Sequence, residues 1–287
     1  MHRKPFTIET VLIALVVFAT AASCSSDKKP ESNFIAFSKI DEAWKYTKGE
    51  NTVVAVADWL FDLSPNASSK YILPTSMIPG QEVGSSQPWH GEWMAEIIHQ
   101  IAPEAKIIPI RARPDNGSYE QYLREGIRFA ADHGAVAITN SMGPVQHGQD
   151  LFDAVDYADK RGTVFINVHP EYLVNTKQEY KECEPAQCYE KIIHPGLISV
   201  PKYPTKPESS RDIYVWPYQI TPKFKDGWGY SNGPPVVAGV VALMKSVNPK
   251  LTPQEVKNII GETAMMKDGF KVLDAEAAVK ETLKRGQ

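Results

Sequence analysis

One serine of this 287-residue chain sits where nucleophilic chemistry is feasible, in Gly229-Tyr230-Ser231-Asn232-Gly233. The Gly-x-Ser-x-Gly spacing suits a sharp turn that exposes a hydroxyl, but hydrolases built on such an elbow place their His after the nucleophile. All seven His, at positions 2, 90, 99, 133, 147, 169 and 194, precede Ser231. That architecture is therefore excluded, and the base must lie upstream. His90 opens a stripe of helical period, Trp93, Ile97 and Ile101, and Asp58 ends an apolar run from Thr52 to Ala57. A Ser hydroxyl is a weak nucleophile until an imidazole takes its proton, and the imidazole needs a carboxylate to fix its tautomer and stabilise its charge. Asp58, His90 and Ser231 together supply that chemistry. Taken singly, each has a plainer reading as a cap or a helix-start residue.

The elements that must position these residues are legible in the pattern. β-branched and apolar runs at 52–57, 106–110, 135–139, 163–168 and 197–200 read as buried strands, with helical stretches of about 10 to 15 residues between most of them. Leu123, Ile127, Ala130 and Ala131 form one such helical stripe, which stops at Gly134. The stretch from Pro235 to Val247 is apolar on almost every side and so predicts a helix buried inside the domain. The class is α/β with a mostly parallel sheet.

Each candidate residue also lies in a segment resembling the subtilisin-like (peptidase S8, subtilase) serine proteases, in the same chain order. The family's Asp ends a strand of the form Val-Ala-Val-Ile-Asp, similar to Val54-Ala55-Val56-Ala57-Asp58 here. Its His opens His-Gly-Thr-His-Val-Ala-Gly-Ile-Ile, similar to the nine residues from His90 to Ile98. Its Ser lies in Gly-Thr-Ser-Met-Ala-x-Pro-His-Val-Ala-Gly, similar to the eleven residues from Gly229 to Gly239. Ala102-Pro103-Glu104-Ala105-Lys106-Ile107 continues in the family's manner, and Leu251–Val256 and Phe270–Val279 look like its closing helices. The resemblance covers roughly residues 51 to 282. It implies a three-layer α/β fold, a Ser231 nucleophile, His90 as general base and acid, an orienting Asp58, and a substrate-binding strand end at Ser141, Met142 and Gly143. Peptide or protein substrates follow; no cofactor or metal ligand is assigned, and calcium sites are not read from the sequence.

Several positions depart from the family's pattern. Where it keeps small residues, this chain has Trp59, Trp89, Glu92, Trp228 and Tyr230, which form either an aromatic-walled pocket or part of the core. The family's oxyanion-donating Asn corresponds, without gaps, to Glu171, which accepts but cannot donate when ionised; Asn167 or His169 would serve in a shifted register. Only residues 25–50 separate Cys24 from the first strand, too few for the family's prodomain. These departures support an alternative from another class, a catalytically silent subtilisin-like fold used as a lipid-anchored binding module.

The N-terminus sets the expected location. His2-Arg3-Lys4, the apolar stretch from Val11 to Ala22, and small residues before Cys24 have the anatomy of a signal peptide. The apolar stretch is short against the roughly 20 residues needed to span a bilayer. Ala21-Ala22-Ser23-Cys24 resembles a lipoprotein cleavage box, so residues 1–23 are expected to be removed and Cys24 lipidated; an ordinary cleavage site beside a stray thiol is the other reading. Residues 24–50 then read as a linker, with a surface helix near 38–46, and 51–287 as the domain. Cys183 and Cys188, in a polar stretch, suit a disulfide in an oxidising compartment better than a metal site. The expected site is a bacterial cell envelope, facing periplasm or exterior. With 31 Lys and Arg against 34 Asp and Glu, and no long run of either sign, the chain has no nucleic-acid footprint.

Overall fold

The computed structural model describes residues 34–142, 149–168, 197–200, 213–215 and 230–287. Strand β1 (Val53–Asp58) is buried from Val54 onward, as befits a strand whose run of Val and Ala offers no polar face. It pairs in parallel with β3 (Lys106–Arg111) on one side and β4 (Ala137–Asn140) on the other. Beyond β4 come β5 (Val164–Val168) and β6 (Leu197–Val200), and the two-residue β2 (Thr75–Ser76) closes the opposite edge. The order β2-β3-β1-β4-β5-β6 reverses direction at β1. Open α/β sheets bind ligands at such a switch point, outside the carboxyl ends of the strands. Asp58 is the residue at that end of β1.

Alternation decides which layer each strand residue meets. Val54 and Val56 join one core cluster with α3 (His90–Ile101) and α6 (Gly233–Val247). Ala55 and Ala57 join a second with α4 (Glu120–Asp132) and α5 (Gln149–Asp159) on the other face. The sandwich is therefore three-layered, and parity puts Asp58 on the side of α3. Helix α6 is buried from Gly233 to Lys245, and full burial of each Val or Leu in it stabilises by roughly 1.5–3 kcal/mol. It packs closely on α3, since a Cβ at Gly239 would lie 2.7 Å from Ile101 Cγ2.

The chain closes through α7 (Pro253–Thr263), the hairpin β7 (Met265–Lys267) and β8 (Phe270–Val272), and α8 (Ala275–Arg285). The stretch that resembles a closing helix from Phe270 thus begins as a strand, and its helix starts at Ala275. Part of the stretch expected to be a linker is folded. It forms α1 (Phe34–Phe37) and α2 (Ile40–Ala43), with Phe34, Ile40 and Ala43 buried. Lys39 Nζ pairs with Asp274 Oδ2 at 2.6 Å, and the Ser38 carbonyl accepts from Ala275 N at 2.8 Å. Asp274 also caps α8 by accepting from Ala277 N.

Candidate active site

Asp58 leaves β1 fully buried, and its Oδ1 accepts from Trp59 N at 2.8 Å. His90 Nδ1 lies 2.8 Å from Oδ1 and 2.9 Å from Oδ2 of Asp58. With a carboxylate on that side, Nδ1 carries the hydrogen and Nε2 keeps a lone pair, the form a general base needs. Burial of the ring disfavours its charged form, but the Asp58 charge and hydrogen bond outweigh burial and a lowering contribution from Arg113, leaving the His90 pKa above its ordinary 6.5.

The backbone holds this pair together. Two residues past Asp58, the Leu60 carbonyl accepts from Glu92 N at 3.1 Å and so occupies the first turn of α3. The N-cap residue, Trp89, gives that helix start no side-chain cap. Phe61 presses on Gly91, where a Cβ would sit 2.7 Å from the ring. Glu92 completes the junction as a buried carboxylate. Its Oε2 accepts from Tyr71 Oη at 2.6 Å and Asp62 N at 2.9 Å, and Lys70 Nζ stands 3.8 Å from its Oε1. Burial, then the neighbouring Glu92 charge, push the Tyr71 phenol far above its usual range, so it stays a donor. Glu92 is thus not bulk in the cleft but a tether between the helix of His90 and the segment leaving Asp58.

Ser231 lies in a 3-10 turn, Tyr230–Asn232, that leads straight into α6 and packs against α3 as well. Its hydroxyl donates to the Ser141 carbonyl at 3.1 Å. A Cβ at Gly233 would meet Val200 Cγ1 at 2.6 Å, so a residue without a side chain lets the turn reach the edge of β6. The positive end of the α6 dipole lies under Ser231, where it favours a developing oxyanion. At the carboxyl ends of β4 and β5 and in this turn several buried polar atoms have no partner among the described residues: Thr139 Oγ1, Asn140 Nδ2, Ser141 Oγ, and both amide atoms of Asn167 and Asn232.

A family model for the subtilases matches residues 49–200 and 215–285, most of the chain. The chain belongs to the subtilase family. It is 30% identical over 171 residues to a thermophilic serine proteinase of Bacillus sp. (strain AK1), covering 55% of this chain and 41% of that protein. It is 26% identical over 137 residues to thermitase of Thermoactinomyces vulgaris, covering 44% and 49%. The matches thus span less than half the length of these relatives. Among solved structures, fervidolysin of Fervidobacterium pennivorans superposes with a TM-score of 0.66 at 21% identity, over 86% of this chain and 45% of that one. A MycP1 structure from Mycobacterium smegmatis gives 0.63 at 20% identity, over 87% and 86%. The fold is subtilisin-like.

The site residues read from this subtilase's sequence fall into three groups. Asp58 and His90 are bonded, and Ser231 is joined to Ser141 at the carboxyl edge of the same sheet. Ser141 is buried, and Met142 N donates to Asn140 Oδ1 at 3.2 Å, with the Met142 side chain against the α4/α5 cluster. Gly143, Cys24, Cys183, Cys188, His169 and Glu171 lie outside the described residues. Asn167 shares its parity with Phe165, which belongs to the α4/α5 cluster, so its amide faces away from α6 and the Ser231 turn. Among the described residues, no group of His, Cys, Asp and Glu is arranged to hold a metal ion, and no helix is long and apolar enough to cross a membrane.

Sequence reasoning missed the tether at Glu92 and the surroundings of Trp59. Trp89 is 44% exposed and meets Trp59 edge-on at 5.1 Å between ring centroids, Trp93 at 5.9 Å and the His90 ring at 5.9 Å. Asp115 Oδ1 accepts from Trp59 Nε1 at 3.3 Å and from Arg111 Nη2 at 2.7 Å. Trp59 and Trp89 therefore form a partly open shelf beside His90 rather than core, and Trp228 lies outside the described residues.

Proposed function

We propose that this chain hydrolyses peptide bonds by acyl transfer, as a serine endopeptidase with Ser231 as nucleophile, His90 as base and then acid, and Asp58 as the orienting carboxylate. The observation that carries the reading is the Asp58–His90 Nδ1 bond, which reserves Nε2 for a proton from outside the pair. In the forward step Ser231 Oγ attacks the scissile carbonyl while His90 takes its proton. The tetrahedral intermediate collapses as His90 returns that proton to the leaving amine. Water, deprotonated by His90, then releases the acyl group. The Ser231 backbone N–H, at the positive end of α6, is one donor for the oxyanion. Ser141, Met142 and Gly143 would lie along the bound peptide.

The same reading places the enzyme at a bacterial cell envelope, facing periplasm or exterior, tethered by acyl chains on Cys24 and with Cys183 paired to Cys188. Intact mass of membrane-extracted protein tests the lipid, and peptide mapping without reduction tests the disulfide.

One observation favours the silent-module alternative: the Ser231 hydroxyl is engaged by the Ser141 carbonyl. Turnover separates the two readings. Purified chain should cleave an unstructured protein such as casein, and Ser231→Ala should not. Equal, zero cleavage by both, with folded protein, would leave the binding module.

A further inference from the structure

Two arginines stand near the end of β3, Arg111 and Arg113, and among the described residues only Arg111 pairs with an acid. Arg111 is buried, its Nη2 on Asp115 and its Nη1 on the Glu82 carbonyl. Arg113 is exposed, and among the described residues no carboxylate pairs with it. Asp115, the acid nearest in sequence, is already engaged by Arg111 and Trp59. Arg113 is nevertheless held in place. Its backbone N–H donates to the Asp58 carbonyl at 3.3 Å, and its guanidinium rests over the Trp59 ring at 5.3 Å. Trp59 in turn abuts Trp89, and Trp89 abuts the His90 ring.

A guanidinium stacked on an indole loses little conformational freedom and keeps its in-plane N–H groups free. Those donors match a carboxylate in geometry and charge. We infer that Arg113, on the shelf formed by Trp59 and Trp89, is a specificity-determining residue that selects peptides placing a carboxylate beside the bond under attack. The inference rests on the protease reading for the place of the substrate, but it concerns recognition rather than turnover. An acidic side chain and a peptide's own C-terminal carboxylate share this chemistry. Arg113 also counts among the charges that lower the proton affinity of His90, which puts its field in the cleft.

Binding to Ser231→Ala protein tests the inference without turnover. Immobilised Ser231→Ala would be offered peptides randomised over eight positions, made once with a free C-terminal acid and once as the amide, and the retained pool would be sequenced. A partly shielded Arg–carboxylate pair should enrich Asp and Glu about threefold to tenfold at one position. Dependence on the free acid would instead identify the chain terminus as the source of the carboxylate. Either preference should vanish in the Arg113→Gln form, give way to Lys and Arg in Arg113→Glu, and shrink as salt is raised. A retained pool with no acidic or C-terminal preference, the same preference in Arg113→Gln, or no peptide retained at all would overturn the inference. Casein cleavage by the Ser231 form decides the protease reading separately, so the two failures cannot be confused.

Discussion

The two halves of the candidate site are built differently. On the β1–α3 side the polar groups where the strand meets the helix start have partners. Asp58 holds His90, Leu60 receives the helix start, and Glu92 binds Tyr71 and Asp62. On the β4–β5–α6 side the Ser231 hydroxyl rests on a neighbouring carbonyl, and Asn140, Ser141, Asn167 and Asn232 bury polar atoms without partners among the described residues. An orphaned buried polar group costs about 1–3 kcal/mol, so the stability of that edge depends on what meets these atoms. Such conflicts concentrate at functional edges, where a ligand completes what the fold leaves unmet. The first half is thus finished before substrate arrives, and the second is not.

The largest effect should come from breaking the finished half at its centre. Asp58→Asn keeps the shape but presents the wrong partner to Nδ1, and turnover should fall about 10⁴-fold with the fold intact. A loss below tenfold would mean that the pair is structural. Next is the tether: Glu92→Leu strands the Tyr71 hydroxyl, the Asp62 N–H and Lys70, and should lower unfolding stability by about 3 kcal/mol in urea titration. Glu92→Gln keeps an acceptor and should lose less. An equal loss from both would show that charge, rather than hydrogen bonding, holds the junction.

The unfinished half should respond with the opposite sign. Asn167→Leu removes an amide that has no partner among the described residues and should leave stability unchanged or raise it by about 1 kcal/mol. A loss of 2 kcal/mol or more would reveal a partner for that amide and blur the contrast between the halves. The smallest effect is on pH. The base form of His90 is the active one, so activity falls as pH drops through its pKa, and the raised pKa puts that limb above 6.5. Asp58→Asn removes the raising charge and should move the limb down, whereas Arg113→Gln removes a lowering one and should move it up. Kinetics across the acid range reads both shifts.

Much of the finished half was legible because its signals are local. A strand buried on both faces announces itself by unbroken Val and Ala, and the stripe after His90 marks α3. Chain order alone set aside the elbow reading of Gly229–Gly233. The tether was not legible, because Tyr71 and Asp62 reach Glu92 from an irregular segment 21 and 30 residues upstream. The same holds for Lys39 and Asp274, 235 residues apart, whose pairing draws the N-terminal segment onto α8. The final hairpin did leave a local mark. Asp268-Gly269, both at positive φ (51° and 84°), is an Asp-Gly turn signal just before Phe270. The orphaned polar edge has no sequence signal, since Asn and Thr in a strand look the same whether partnered or not.

The account turns on whether Ser231, resting on the Ser141 carbonyl, passes its proton to His90 when an electrophile arrives. Reaction with a fluorophosphonate, followed by mass spectrometry of the digested chain, reads that step without any choice of substrate. The account predicts one adduct, on Ser231, absent in Ser231→Ala and strongly reduced in His90→Ala. Wild-type protein that is folded by circular dichroism yet unlabelled, while a known serine protease in the same tube reacts, would contradict it.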